Sequence, residues 1–333
     1  MDVDVLLVGL GTTAGLRRVE DELAGSLRRA GLEVEVARAA PRREPPTFAL
    51  LDLEQARAAR RAAREGLERV RPRAILYSTT TAALLWPRPG VIHFDAPAAG
   101  NRPGRHGIWQ RAVERRRFAA APLVVAQSAG GLEEAPPHGE ALVIPVPVEP
   151  SGPANEERDL AAVTYAADVA KKGLARVLAA WREARREGEE LVVAGIDPPG
   201  ESSPGGPSAK AARLEGIRFA GLLEPSEFRA LLRRARVYVT APRREDYGLS
   251  QLEALSDGAM LVTTEAPGPY AALPLAREID PRLVGDDLAG ALRAALDDPR
   301  PDYAERARGA LVPFRRGSVD ALVLQELVPR LAP

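Results

Sequence analysis

The chain has 333 residues, with no cysteine, only two methionines and only three histidines. Without cysteine there is no disulfide framework and no thiolate metal site, which suits a reducing compartment. Net charge is lacking as well. The 46 basic side chains balance 46 acidic ones, so no global field draws the protein to nucleic acid. Lysine is confined to Lys171, Lys172 and Lys210, and arginine supplies the other basic side chains. No apolar run reaches the ~20 residues of a membrane span. The opening MDVDVLLVGLG, with an acidic flank and a short apolar run, does not read as a signal peptide. A cytoplasmic protein is expected. No His/Asp/Glu cluster has metal-ligand spacing, and Asp2 and Asp4 read as solvated acids flanking a first strand.

What is present is alternation. Apolar runs at 3–9, 32–37, 74–78, 90–94, 122–127 and 141–146 are bounded by Gly, Pro or Ser, with Arg/Ala/Glu/Leu-rich segments of helical spacing between several of them. After the Pro-, Gly- and charge-rich stretch 146–159 the pattern restarts at 161–166, 190–195, 217–221, 237–241 and 259–264, with 277–284 as a further strand. The Gly/Ser/Pro-rich loop 198–210 reads as mobile. Strands alternating with helices predict an α/β fold of two doubly wound, Rossmann-like domains. The expected division is an N-terminal domain 1–150, a linker 151–159, a C-terminal domain 160–313, and a final amphipathic helix 314–333 that packs back on the first domain. Such sheets bind ligands beyond the carboxyl ends of their strands, so the residues just after each strand are the ones to inspect.

One of those segments is RREDYGLSQLEALSDGAMLVTT, from Arg243 to Thr264. A strand ends near Ala241 and a helix starts near Gly248, placing Glu245 in the loop and Glu253 in the helix. Amides at a helix start favour anions, and a glycine there admits a diphosphate without a Cβ in its way. Taken alone, Ser250 and Glu253 also match the S-x-x-E capping box, which would make Glu253 a structural cap.

The wider pattern, strand–P-x-x-E-x-Y-G-L-x-x-x-E-A–GAMLVTT, resembles glycosyltransferase family 4, retaining enzymes of the GT-B fold. Its two glutamates separated by seven residues fall on Glu245 and Glu253, and VTYAADVAKKGLARVLAAW resembles the family's strand followed by Lys-Gly and a helix. The resemblance covers most of residues 160–300 and implies two domains facing across a cleft. It further implies a retaining, metal-independent transfer of sugar from a nucleotide-sugar donor, itself a substrate rather than a cofactor, to an acceptor hydroxyl. Glu253 would then hold the ribose diol, Glu245 the transferred sugar, and Lys172 the departing phosphates. Tyr247 and the amides of Gly248 and Leu249 would line the donor site, with Leu222 near the base. The family's arginine about five residues before the Lys-Gly lysine is Ala167 here, so Arg243, Arg244 or Lys171 would have to substitute. A non-catalytic sugar-nucleotide-binding homologue in a glycan pathway is the alternative this departure leaves open.

In the first half, GLGTTAG (9–15) follows a strand and opens a helix, which makes Gly11 a donor-facing candidate. A dinucleotide reading, and with it an NAD-dependent oxidoreductase, is disfavoured because the second strand ends on Arg38 rather than an acid. His93, at the end of GVIHF, and the following Asp95 are candidates for binding sugar hydroxyls or assisting acceptor deprotonation. His106 and His138 fall in loops. The arginine-rich 101–118 segment, with Arg105 and with Trp109 and Phe118 as apolar anchors, is a candidate docking surface for an anionic membrane or phosphorylated acceptor.

Overall fold

A computed structural model describes all residues except 41–46, 154–156, 198–215 and 332–333. The loop 198–210 and Lys210 therefore lie outside the described residues. The chain divides into two compact units, Met1–Pro147 with Pro313–Pro333, and Val148–Val312.

Unit 1 contains strands β1 (Asp2–Gly9), β2 (Val34–Arg38), β3 (Arg71–Tyr77), β4 (Val91–Phe94), β5 (Val124–Ala126) and β6 (Ala141–Val143). They form a parallel sheet in the order β2-β1-β3-β4-β5-β6. Its helices are α1 (Ala14–Arg29), α2 (Phe48–Arg69), α3 (Thr80–Ala83), α4 (Ala98–Asn101), α5 (Ile108–Ala120) and α6 (Ala129–Glu133). Thr13, Thr79 and Ser128 each accept from the amide three residues on, which starts α1, α3 and α6 just beyond a strand end. Alternate β1 side chains feed separate apolar layers: Leu6 and Val8 join one, Val5 and Leu7 the other.

Unit 2 repeats the plan. Strands β7 (Leu160–Tyr165), β8 (Leu191–Ala194), β9 (Ile217–Gly221), β10 (Ala235–Thr240) and β11 (Met260–Thr263) are parallel, in the order β11-β10-β7-β8-β9. Its helices are α7 (Leu174–Ala184), α8 (Pro225–Arg234), α9 (Leu249–Ser256), α10 (Ala272–Ile279), α11 (Leu288–Asp297) and α12 (Tyr303–Ala310). The expected strand at 277–284 is not formed. Leu273, Ala276 and Ile279 are buried at helical spacing on α10, Pro281 opens a 3-10 turn, and only Val284 bridges to Thr263.

The C-terminal segment, α13 (Arg316–Leu322), a π-helical turn Val323–Leu327 and α14 (Val328–Leu331), packs on unit 1. Val319, Val323, Leu327 and Leu331 are all buried in the Val5/Leu7 layer. A repeat of four overshoots an α-helical turn by about 40° per step. The wider π turn absorbs that drift and keeps the four side chains on one face. Arg316 grips Glu22 at 2.6 and 2.9 Å, and Arg29 grips Asp320 at 2.6 and 2.8 Å, fixing this segment against α1.

Candidate active site

Strand order in unit 2 reverses between β7 and β10, so the crevice beyond their carboxyl ends is the expected ligand position. The loops that leave these two strands carry Lys171, Lys172, Glu245 and Asp246. Close approach of the loops depends on Gly173, at φ 65°: a Cβ there would lie 1.8 Å from the carbonyl oxygen of Ala241. Arg243 donates its amide to the Lys171 carbonyl at 2.9 Å and ties the loops edge to edge.

Glu245 is 5% exposed. One of its oxygens, Oε2, accepts from Lys172 Nζ at 2.6 Å and from Gln251 Nε2 at 2.9 Å. A carboxylate in that position is held by a cation and an amide at once, which fixes it where a substrate hydroxyl can be read. Beside it, Asp246 is gripped by Lys171 and, at 3.3 Å, by Arg244. The side chain of Arg243 is exposed. Two of the three cations suggested as substitutes for the family's arginine, Lys171 and Arg244, are therefore engaged by Asp246. Thr240 and Thr264, at the ends of β10 and β11, bury hydroxyls that have no partner among the described residues.

Gly248 is the N-cap of α9, at φ 90°. Its missing Cβ is explained internally, because an added one would meet the Tyr270 ring at 2.8 Å. The expected clearance for a diphosphate is thus not what demands glycine at this position. The capping-box alternative also fails. Ser250 lies inside the helix, accepting from Tyr238 at 3.0 Å and donating to Gln251 at 2.8 Å. Glu253, 6% exposed, instead faces Arg229 of α8 at 3.5 Å. Tyr247 is buried, Leu249 half-buried, and Leu222 stands 78% exposed beyond β9. Gln251 and Arg229 carry no motif signal; both are identified only by where their helices aim them.

In unit 1 the strand order reverses between β1 and β3, and a buried acid occupies that position. Glu20 accepts from the Gly11 amide at 3.1 Å and from Ser78 Oγ at 2.9 Å, with Arg38 Nε at 3.4 Å. A Cβ on Gly9 would fall 2.4 Å from this carboxyl group. Gly11 therefore spends its N–H on Glu20, which corrects its reading as a donor-facing amide. A pyrophosphate would meet a carboxylate here, which further disfavours the dinucleotide alternative.

His93 sits within β4, 3% exposed, its Nδ1 without a partner among the described residues and its ring bonded to the Ser78 backbone. Burial lowers its pKa to about 4. A neutral, enclosed imidazole does not meet the expectation of a group reaching sugar hydroxyls. Asp95 is half-buried and accepts from the Ala96 amide at 2.7 Å. Arg105, in the 3-10 turn Gly104–Gly107 before α5, precedes an exposed Ile108 and a half-buried Trp109. Phe118 is fully buried edge-to-face against Phe94, with centroids 5.0 Å apart, and is no surface anchor. The inward side of α5 also carries Glu114, whose oxygens both accept from the Ala98 amide at 3.0 Å and whose pKa burial raises to about 7.

Asp4 is occupied by the Glu33 amide at 2.9 Å and Arg73 at 3.3 Å, consistent with a structural acid. Among the described residues no helix is long and apolar enough to cross a membrane.

Residues 158–298 match the family model described as Glycosyl transferases group 1. No curated protein matches the chain. Among solved structures, the sucrose-phosphate synthase of Thermosynechococcus elongatus aligns at 15% identity and TM-score 0.71, over 98% of both chains. Anabaena HepE, in complex with UDP and glucose, aligns at 13% identity and TM-score 0.67, over 98% of this chain and 99% of that one. WaaG, a glycosyltransferase involved in lipopolysaccharide biosynthesis, aligns at 15% identity and TM-score 0.64, over 100% and 98%. Residues 158–298 are thus similar to the glycosyl transferases group 1 family, and the chain shares the GT-B fold of these solved glycosyltransferases.

Proposed function

We propose that this enzyme is a retaining, metal-independent transferase that moves a hexose-type sugar from a nucleotide donor to an acceptor hydroxyl. Unit 2 binds the donor and unit 1 serves the acceptor. The observation that carries the reading is the buried Glu245–Lys172–Gln251 cluster at the strand-order reversal of the group 1 domain. Glu253 binds the vicinal ribose hydroxyls, since two carboxylate oxygens suit a cis-diol. Glu245 holds the hydroxyls of the departing sugar. The amides at the start of α9, from Leu249 onward, take the diphosphate, and Lys172 turns to it as negative charge develops.

In this mechanism the bond from the anomeric carbon to the phosphate oxygen breaks. The acceptor oxygen bonds on the same face, and its proton passes to the leaving phosphate. Thermal-shift screening against UDP-, GDP- and ADP-sugars should give one stabilising donor, and UDP is the first to try because HepE carries it. At a hundredfold excess over its dissociation constant a bound donor contributes ~2.7 kcal/mol. With an acceptor present, the product should keep the donor's anomeric configuration, and a chelator should leave turnover unchanged. An inverted product or loss of activity on chelation would sink that part of the proposal.

A second reading is favoured by one observation: Lys171 and Arg244 are both held by Asp246, and Ala167 supplies no arginine. In that reading the donor binds without turnover.

On unit 1 we further propose peripheral contact with an anionic membrane at the cytoplasmic face, through exposed Phe48, Leu50 and Ile108 beside Arg105. Arg102 caps the Phe48 ring at 5.1 Å. The protein should pellet with phosphatidylglycerol vesicles and not with phosphatidylcholine vesicles, and Ile108→Asp should release it. Equal pelleting with both vesicle types, or with neither, retires the idea.

A further inference from the structure

Arg229 occupies the centre of a buried charge cluster in unit 2. Its Nε donates to Asp257 Oδ2 at 2.5 Å, its Nη2 to the Glu149 carbonyl at 2.7 Å, and its Nη1 stands 3.5 Å from Glu253 Oε1. Arg229, Glu253 and Asp257 are all buried. Asp257 is itself fastened, accepting from the Ser151 amide at 2.8 Å and from its hydroxyl at 3.0 Å. The guanidinium is thus clamped on two sides, and the third side of its planar fork is turned toward Glu253.

We propose that Arg229 is a positioning residue for Glu253, orienting its carboxylate toward the ribose diol of the donor. The proposal rests on the reading of Glu253 given above. A glutamate side chain has three rotatable bonds, and an arginine fixed in place restricts that freedom. At 3.5 Å the contact is an ion pair rather than a short hydrogen bond, so Arg229 steers the carboxylate instead of capping it. A buried ion pair is a poor source of stability, so its effect falls on geometry. Asp257 and the Ser151 segment act as the fixed base from which the arginine reaches.

The test uses the full chain and isothermal titration with UDP, ADP and GDP, each against its 2′-deoxy counterpart. Wild type should prefer the ribo form of one nucleotide by about tenfold, the order expected when a hydrogen bond to a charged group is lost. Glu253→Gln should remove that preference. Arg229→Met should weaken the ribo form about tenfold while leaving the deoxy form within twofold, and Arg229→Lys should restore part of the preference. Where Arg229→Met does not fold, Asp257→Asn, which unfastens the arginine, should give the same selective loss.

Equal weakening of both forms means a merely structural role and overturns the proposal, as does an unchanged ribo preference. If wild type binds no nucleotide, shows no preference, or keeps its preference in Glu253→Gln, the diol reading fails first and takes Arg229 with it.

Discussion

Glu245→Gln should lower turnover by about 10²–10³-fold, the usual cost of removing one preorganised polar contact from a transition state, while nucleoside diphosphate binds at least as tightly as before. The two effects have opposite signs because, in the proposed binding mode, Glu245 and the donor compete for one cation. Lys172 Nζ lies 2.6 Å from Glu245 Oε2. A neutral amide releases that lysine, leaving its full charge for the diphosphate. In the proposed mode it also removes the anionic acceptor for the sugar hydroxyls, on which positioning of the anomeric carbon depends. Lys172→Met should behave differently, weakening diphosphate binding and turnover together. Steady-state kinetics with calorimetric binding of the product nucleotide separates the two patterns. Parallel loss of binding and turnover in Glu245→Gln would show that this acid serves to build the pocket rather than to read the sugar.

In unit 1, His93→Gln and Glu114→Gln should tilt stability with pH in opposite directions. His93 has its folded pKa lowered by burial from 6.5 to about 4. Its contribution is complete above pH 6.5 and is lost as pH falls toward 4, since only the unfolded chain then takes up the proton. Glu114 has its folded pKa raised by burial from 4.5 to about 7. Its contribution is complete below pH 4.5 and is lost as pH rises toward 7. Each amounts to about 2–3 kcal/mol between pH 7 and 4.5, so in the native protein they largely cancel.

Removing the histidine leaves Glu114 unopposed, and the variant should be more stable at pH 4.5 than at pH 7 relative to wild type. Removing the acid should make unit 1 acid-labile by a similar amount. Hydrogen exchange of the β1 and β3 amides across this range reads the slope, whatever each substitution costs at a single pH. Parallel slopes in the two variants would contradict the assignment.

Much of unit 2 is legible in the sequence because β10, its loop and α9 are contiguous: the strand end, the glycine start and both glutamates lie within 240–253. The Lys-Gly element is readable for a similar reason, since Gly173 is required by the close carbonyl of Ala241. What was not legible depends on partners distant in sequence. Arg229 reaches Glu253 from another helix, and Glu20 lies beneath a loop whose glycines suggest a phosphate.

Polarity misleads on α5, where Gln110, Glu114 and Phe118 face inward while Ile108 faces out. A reading by hydrophobic spacing assigns that helix to the surface and takes Phe118 as an anchor. At 277–284 the apolar residues are shared between the end of a helix and a 3-10 turn, a boundary that alternation mimics.

The central claim is that a sugar nucleotide is gripped beyond the carboxyl ends of β7 and β10. Hydrogen–deuterium exchange with and without the stabilising donor measures this directly. Amides at 171–173 and 245–253 should slow on donor binding, while those of the Gly9–Thr13 turn, closed by Glu20, should not change. Protection confined to that turn, with none at 245–253, would contradict the account.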